Sequence, residues 1–252
     1  MKLLKVKYGQ IKGTNKAIFG FPGIGNVSKI VVEFLIDKLK AKKVMDIYST
    51  EFPNLVVVKD DFTIEPPKIE VYKYKNILLF NGEVQPSNEV SSYELSDELV
   101  KIAKSLGVKE IITIGGIALE SEPVKPKVYA ALIDKKYKKK LETVGVHFNK
   151  KGANIIIGMS GILLFYAKIK KMKGFALLAE TSGVQGAIGL RASKSILDVL
   201  SKYLKISIST HDLDNEIKNL KKNENKEKRL QSEIAKYIKP MDGNLNYIGW
   251  SI

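Results

Sequence analysis

The stretch KAIFGFPGIGNVSKIVVEFLIDKL, residues 16–39, decides the fold. Lys16 to Phe21 is an apolar run that enters a glycine-rich turn, and Val27, Ile30, Val31, Phe34, Leu35 and Leu39 then recur at helical spacing. This is a strand, a turn and an amphipathic helix. Outward from it the pattern repeats. Asn76 to Phe80 (NILLF) is continuously apolar, as for a strand buried on both faces, and a helix over Tyr93–Leu106 follows, with Ser91 and Glu94 spaced as a capping box. Glu110 to Ile114 (EIITI) ends in Gly115 and Gly116. The alternation continues through a strand at Asn154–Ile157, a helix at Ile162–Met172, a strand at Phe175–Glu180 and a helix at Ser193–Leu204. Alternating apolar strands and helices predict an α/β fold with a mostly parallel sheet and helices on both faces.

Two stretches depart from that rhythm. Glu51–Lys75 holds Pro53, Pro66 and Pro67 among Val56, Val57, Val58 and Val71, which predicts edge strands or an excursion in place of another unit. Beyond His211 the chain is densely charged, with Leu213, Ile217, Leu220, Leu230, Ile234 and Ile238 on an approximately helical stripe. Residues 1–207 are therefore expected to be an α/β core, 208–240 a charged helical extension, and 241–252 (MDGNLNYIGWSI) a short tail. No internal repeat has a solenoid period.

The chain has 252 residues, 44% of them hydrophobic and 27% charged, and its mean hydropathy is −0.08. Those values describe a globular protein able to bury a substantial core. Lys+Arg number 42 against 27 Asp+Glu, a formal net charge of +15. Nine lysines fall between Lys125 and Lys151, yet Arg191 and Arg229 are the chain's two arginines, so bidentate readout of bases or phosphates is poorly provided for. No nucleic-acid fold signature accompanies the charge, and a solvated lysine-rich surface is the expectation. The chain has no cysteine, which excludes disulfides, thiolate metal sites and a cysteine nucleophile. His147 and His211 lack metal-ligand spacing, so no metal or other cofactor is expected. The first residues lack the apolar core of a signal peptide, and Asn154–Ala167, the most hydrophobic stretch, is too short to span a membrane. A cytoplasmic location is expected.

The turn Gly20-Phe21-Pro22-Gly23-Ile24-Gly25-Asn26 invites an anion reading, because free N–H groups gather at a helix N-terminus. A P-loop requires Lys and Ser/Thr directly after its last glycine, where Asn26 and Val27 stand. The dinucleotide fingerprint fits Gly23 and Gly25 but meets Ser28 in place of its third glycine. Tight packing of the helix after a sharp turn accounts for the same glycines. Gly158-Met159-Ser160-Gly161 has its second glycine one place too early for a nucleophile elbow, so Ser160 is expected to cap the helix after it. Glu120, Glu122 and Glu180 lie where open α/β sheets bind ligands. With Gly23, Gly25, Asn26, Gly115 and Gly116 they define the alternative to a binding scaffold: a small-molecule or nucleotide enzyme site at the sheet's C-terminal rim.

Four segments, in order, resemble the proteasome-assembly-chaperone family and its archaeal homologues. They are FGFPGIGNVSKIVVEFLIDKL (Phe19–Leu39), FNGEVQP (Phe80–Pro86), IITIGGIA (Ile111–Ala118) and GMSGILLFYAKIKKMKGFALLAET (Gly158–Thr181). The resemblance implies a three-layer α/β/α sandwich similar to nucleoside-phosphorylase-like folds, a non-enzymatic role, and proteasome α subunits or the core particle's α ring as partner. It also implies a homo-oligomer. Some members carry a tail resembling the hydrophobic-tyrosine-any-residue motif of proteasome activators, in which an aromatic ring enters a pocket and the terminal carboxylate meets a lysine. Here Trp250, Ser251 and Ile252 occupy those places, so the aromatic group is displaced by one, and Tyr247 and Ile248 stand upstream. These five residues are the expected partner-binding tail. The competing expectation is that they pack on the body or on a sister subunit.

Overall fold

A computed structural model of the chain describes residues 2–86, 88–148 and 154–219. Among them, eight strands form one sheet. Its centre is the parallel set β7 (Ile77–Gly82), β2 (Lys16–Gly20), β8 (Glu110–Leu119) and β10 (Lys173–Ser182), in that spatial order. Both margins are antiparallel. On one side β6 (Ile69–Tyr74), β3 (Lys42–Ser49) and β1 (Leu3–Lys7) follow β7 outward, and on the other β9 (Val128–Leu132) closes on β10.

The central strands are buried on both faces, which is why they read as uninterrupted apolar runs. Ala17, Phe19, Leu78, Phe80 and Ile111 point to one side, where they meet Leu95 and Leu99 of α2 (Glu89–Ser105) and Met159 and Leu163 of α4 (Met159–Ile169). Phe19 and Phe80 stack there with ring centroids 4.4 Å apart. The alternate residues of the same strands turn the other way, toward α1 (Val27–Lys38) and α5 (Leu190–Leu204). Gly20 permits the closest approach on that side: a Cβ there would lie 2.7 Å from Val32. The result is the expected three-layer α/β/α arrangement.

The antiparallel margin is built differently. Met45, Ile47, Ile69 and Val71 face the apolar core, whereas the alternate positions carry a charged network. Lys43 reaches Asp46 at 2.9 Å and Glu70 at 2.6 Å, Tyr8 donates to Asp46 at 2.7 Å, and Lys68 lies 3.8 Å from Asp46. Lys68 also grips Glu65, which Lys59 holds from the other side; the two lysines keep the Glu65 carboxyl at about 2. Burial pushes the neighbouring Glu83 carboxyl up, although it accepts the Lys68 N–H at 3.0 Å.

Four local expectations are corrected. Asn154–Ile157 is irregular chain, not a strand: β8 and β10 are each flanked by strands on both sides, so the segment crosses the mouth of the cleft on its way to α4 without joining them. β6 is an interior strand between β3 and β7, since Pro66 and Pro67 precede it instead of interrupting it; the excursion proper is the hairpin β4 (Val57–Val58) and β5 (Ile64–Glu65). The N-cap of α2 is Asn88, whose side chain accepts the Ser91 N–H at 2.9 Å, so the helix starts four residues before Tyr93 and Ser91 is inside it. Ser160 is likewise inside α4, whose N-cap is Gly158 at φ +83.

The compact unit runs to Leu213, and residues 214–219 are helical. The rest of the stripe, from Leu220 to Ile238, and the tail residues Tyr247, Ile248, Trp250, Ser251 and Ile252 lie outside the described residues. Among the described residues no helix is long and apolar enough to cross a membrane.

Candidate functional site

Parallel strands deliver their C-terminal ends to one edge of the sheet, and there the loops after β2 and β7, the second half of β8 and the segment leading into α4 enclose a cleft of about 270 Å³. This is where neighbouring strands send their helices to opposite faces, the ordinary position for a crevice in an open α/β sheet. Three of the five residues of the expected ligand turn line it: Gly23, Gly115 and Gly116. Gly25 and Asn26 do not. Gly25, at φ +61, faces β10, where an added Cβ would lie 2.7 Å from Thr181 Oγ1, and its carbonyl accepts the Gly189 N–H at 2.8 Å. Asn26 has φ +50 and precedes α1 without a side-chain cap.

The glycines thus serve close packing of loop on strand. A Cβ on Gly116 would sit 2.7 Å from the Ile24 carbonyl oxygen and 2.8 Å from Thr181 Cγ2. Ser28, which occupies the third-glycine position of the dinucleotide pattern, accepts the Phe21 N–H and donates to the Phe19 carbonyl, both at 3.3 Å. It locks the first turn of α1 to the end of β2.

Side chains around the cleft are mainly apolar: Ile24, Ile114, Ile117, Met159 and Leu178, with Ile155, Ile156 and Ile157 across the mouth. Among the described residues, none of the lining side chains is charged. Two polar groups brace it. Ser160 Oγ donates to the Ile114 carbonyl at 2.6 Å and so ties α4 to β8, and the Gln85 side-chain amide donates to the Pro22 carbonyl, joining the loop after β7 to the loop after β2. Gln85 and the three isoleucines were not singled out from the sequence. Gln85 lies within one of the resembling segments, whereas the isoleucines were hidden by their resemblance to a strand.

The rim carboxylates do not line this cleft, and Glu122 and Glu180 are held in place. Glu122 Oε1 accepts the Ala192 N–H at 3.0 Å and Thr181 Oγ1 at 3.4 Å, while Oε2 is 3.4 Å from Arg191. That places a negative charge at the positive end of α5. Glu180 accepts the Lys127 N–H and the Tyr129 hydroxyl, both at 2.9 Å, pinning β9 to β10. Glu120 is exposed. The geometry offers an apolar recess with backbone hydrogen-bonding groups and places no acid–base pair inside it.

Comparison with known proteins agrees with this architecture. The chain is 30% identical over 257 residues to an uncharacterised protein of Methanocaldococcus jannaschii, covering 99% of this chain and 98% of the relative. The crystal structure of Pyrococcus furiosus PbaB, described as an archaeal proteasome activator, is similar with a TM-score of 0.82 and 27% identity over 90% of this chain and 98% of that one. Pyrococcus furiosus PbaA, described as an archaeal homolog of proteasome-assembly chaperone, shares the fold with a TM-score of 0.78 at 24% identity, over 93% of this chain and 95% of that one. The PAC2 family profile matches residues 17–228, from the second residue of β2 to beyond the compact unit. With the profile matching more than four fifths of its length, residues 17–228 of 252, the chain belongs to the PAC2 family.

Proposed function

We propose that this protein is a non-enzymatic, cytoplasmic, homo-oligomeric partner of the proteasome, acting on α subunits or on the α ring of the core particle. The observation that carries the reading is the likeness to PbaB, an archaeal proteasome activator, which extends over nearly the whole of both chains. PAC2 family membership supports the same assignment. The recess at the rim is consistent with it, because Glu122 and Glu180 are engaged by backbone and side-chain groups outside the cleft.

The tail supplies the docking element in this reading. Tyr247, Ile248, Trp250, Ser251 and Ile252 place two aromatic rings within six residues, and buried aromatic anchors dominate the energetics of protein interfaces. The test is capture of purified α subunits by the full chain, by a version truncated after Pro240, and by Trp250→Ala. Capture by the full chain and its loss in both altered chains is the expected result. Absence of capture by the full chain at tens of micromolar contradicts the assignment. Capture that survives truncation moves docking from the tail to the body. Melting-temperature screening against nucleotides and nucleosides tests the enzyme alternative, since a ligand that binds the folded state raises its melting temperature.

A further inference from the structure

The outermost strand of the sheet, β1, is paired on one side only. Its register with β3 decides which of its backbone groups point outward. The Tyr8 N–H donates to the Val44 carbonyl at 3.0 Å and the Thr50 N–H to the Lys2 carbonyl at 3.2 Å, so the even-numbered residues of this antiparallel ladder bond inward. Leu3, Lys5 and Lys7 therefore direct their N–H and C=O groups away from β3. Among the described residues no strand pairs with them. A row of this kind is a template for an added strand.

The two faces of β1 differ in kind. Leu4 and Val6, 63% and 37% exposed, line one continuous open groove with Tyr48 of β3 and with Phe52, Leu55 and Pro66 of the segments that flank the β4–β5 hairpin. Among the described residues, no side chain lining that groove is charged. On the other face Leu3 packs against the core, while Lys5 and Lys7 are exposed. Acids of α2 lie beside Lys5, but they are engaged elsewhere: Lys101 holds Asp97 at 2.7 Å and Glu98 at 2.6 Å, and Lys170 reaches Asp97 at 2.5 Å. Among the described residues neither Lys5 nor Lys7 has an ion-pair partner.

We infer that β1 receives an extended segment of another protein as an added strand, and that this segment alternates acidic and apolar side chains. Residues directly opposite each other across a ladder share a face. Those opposite Lys5 and Lys7 must therefore be acidic, and those opposite Leu4 and Val6 apolar, where they extend the groove. Main-chain hydrogen bonds to Leu3, Lys5 and Lys7 hold the segment, and the alternation selects it. Charge also decides against a second β1 as the occupant. Antiparallel pairing of two copies would set the lysines of one against those of the other, and like charges directly opposite are unfavourable. Lysine on an outermost strand is a common block to pairing of sheet with sheet, and an acidic partner converts that block into a contact.

The inference stands apart from the proteasome assignment, and its test uses no proteasome subunit. The probe is the fluorescein-labelled peptide Thr-Glu-Val-Glu-Leu-Thr, read by fluorescence polarisation against the full chain. Two controls accompany it: Thr-Lys-Val-Lys-Leu-Thr, with the charge reversed, and Thr-Glu-Ser-Glu-Ser-Thr, with the apolar positions removed. The first peptide should bind at least about tenfold more tightly than either control. A chain carrying both Lys5→Glu and Lys7→Glu should reverse the preference between the glutamate and lysine peptides. Lys5→Pro removes an outward N–H and spares the ladder to β3, so it should weaken the glutamate peptide beyond the effect of Lys5→Ala. Amide exchange at Lys5 and Lys7, followed by NMR, should slow when the peptide is bound. Absence of binding up to about 1 mM overturns the inference. So does equal binding of the serine control or of the charge-reversed chain, which would reduce the contact to attraction by a net charge of +15. An oligomer of the chain that dissociates as the peptide binds assigns β1 to a second copy and also overturns it. Lys5 and Lys7 are exposed, so folding should persist, checked by circular dichroism. Should a variant fail to fold, the three peptides and amide exchange on the unaltered chain decide.

Discussion

The two edges of the central sheet are made by the same parallel strands, yet they solve different physical problems. At the lysine edge, where the parallel strands begin, local chemistry explains each residue. Helix C-termini carry the negative end of the backbone dipole, and lysines there are favourable without any partner. Lys40, Lys171 and Lys205 occupy left-handed positions at or just beyond the ends of α1, α4 and α5. At the rim local chemistry explains the glycines and Glu122 but gives no reason for Ile155, Ile157 or Phe62 to face water. An edge that is locally satisfied needs no partner, and one that is not asks for one.

Four perturbations test that contrast. The largest removes what both edges share: Phe80→Ala deletes a fully buried ring stacked on Phe19 and should cost about 3–5 kcal/mol in urea denaturation. Retention of full stability would mean the central strands do not hold the edges together. Next, Glu122→Ala strips the N-terminus of α5 of its carboxylate and should cost about 1–2 kcal/mol, seen as a lower melting temperature. A smaller change of opposite sign is expected at the lysine edge. Lys171→Gly and Lys205→Gly relieve left-handed backbone strain and should each gain up to about 1 kcal/mol; a loss would show that the dipole contribution outweighs the strain.

The smallest effect concerns the hairpin. Glu65, held at about 2 by Lys59 and Lys68, has a folded-state value below that of the unfolded chain. Its contribution is present above the ordinary value of 4.5 and disappears as pH falls from there through about 2. Its carboxylate is partly solvated, so the contribution is under about 1 kcal/mol. Glu65→Gln should flatten that part of the acid unfolding curve, and an unchanged curve would remove the lysine clamp from the account.

Much of the body was legible in the sequence, because strands covered on both faces must be apolar throughout: β2, β7, β8 and β10 announce themselves this way. β3 and β6 were obscured because one face of each carries the Lys43, Asp46, Lys68 and Glu70 network. Ile155–Ile157 misled for a nonlocal reason, since only the assembled strand order shows that the interior positions beside β8 and β10 are already taken. The cleft was half legible. Gly23 follows the end of β2 as read, but Gly115 and Gly116 lie within β8, which continues to Leu119 instead of turning there, and the role of Gln85 depends on a hydrogen bond across 63 residues that no local pattern encodes.

The central claim, that the protein binds the α face of the proteasome, is tested most directly by imaging purified core particle mixed with the full chain by electron microscopy. The account predicts added density capping the α ring, lost when residues 241–252 are removed. Core particles with bare ends at saturating concentrations of the chain would contradict it.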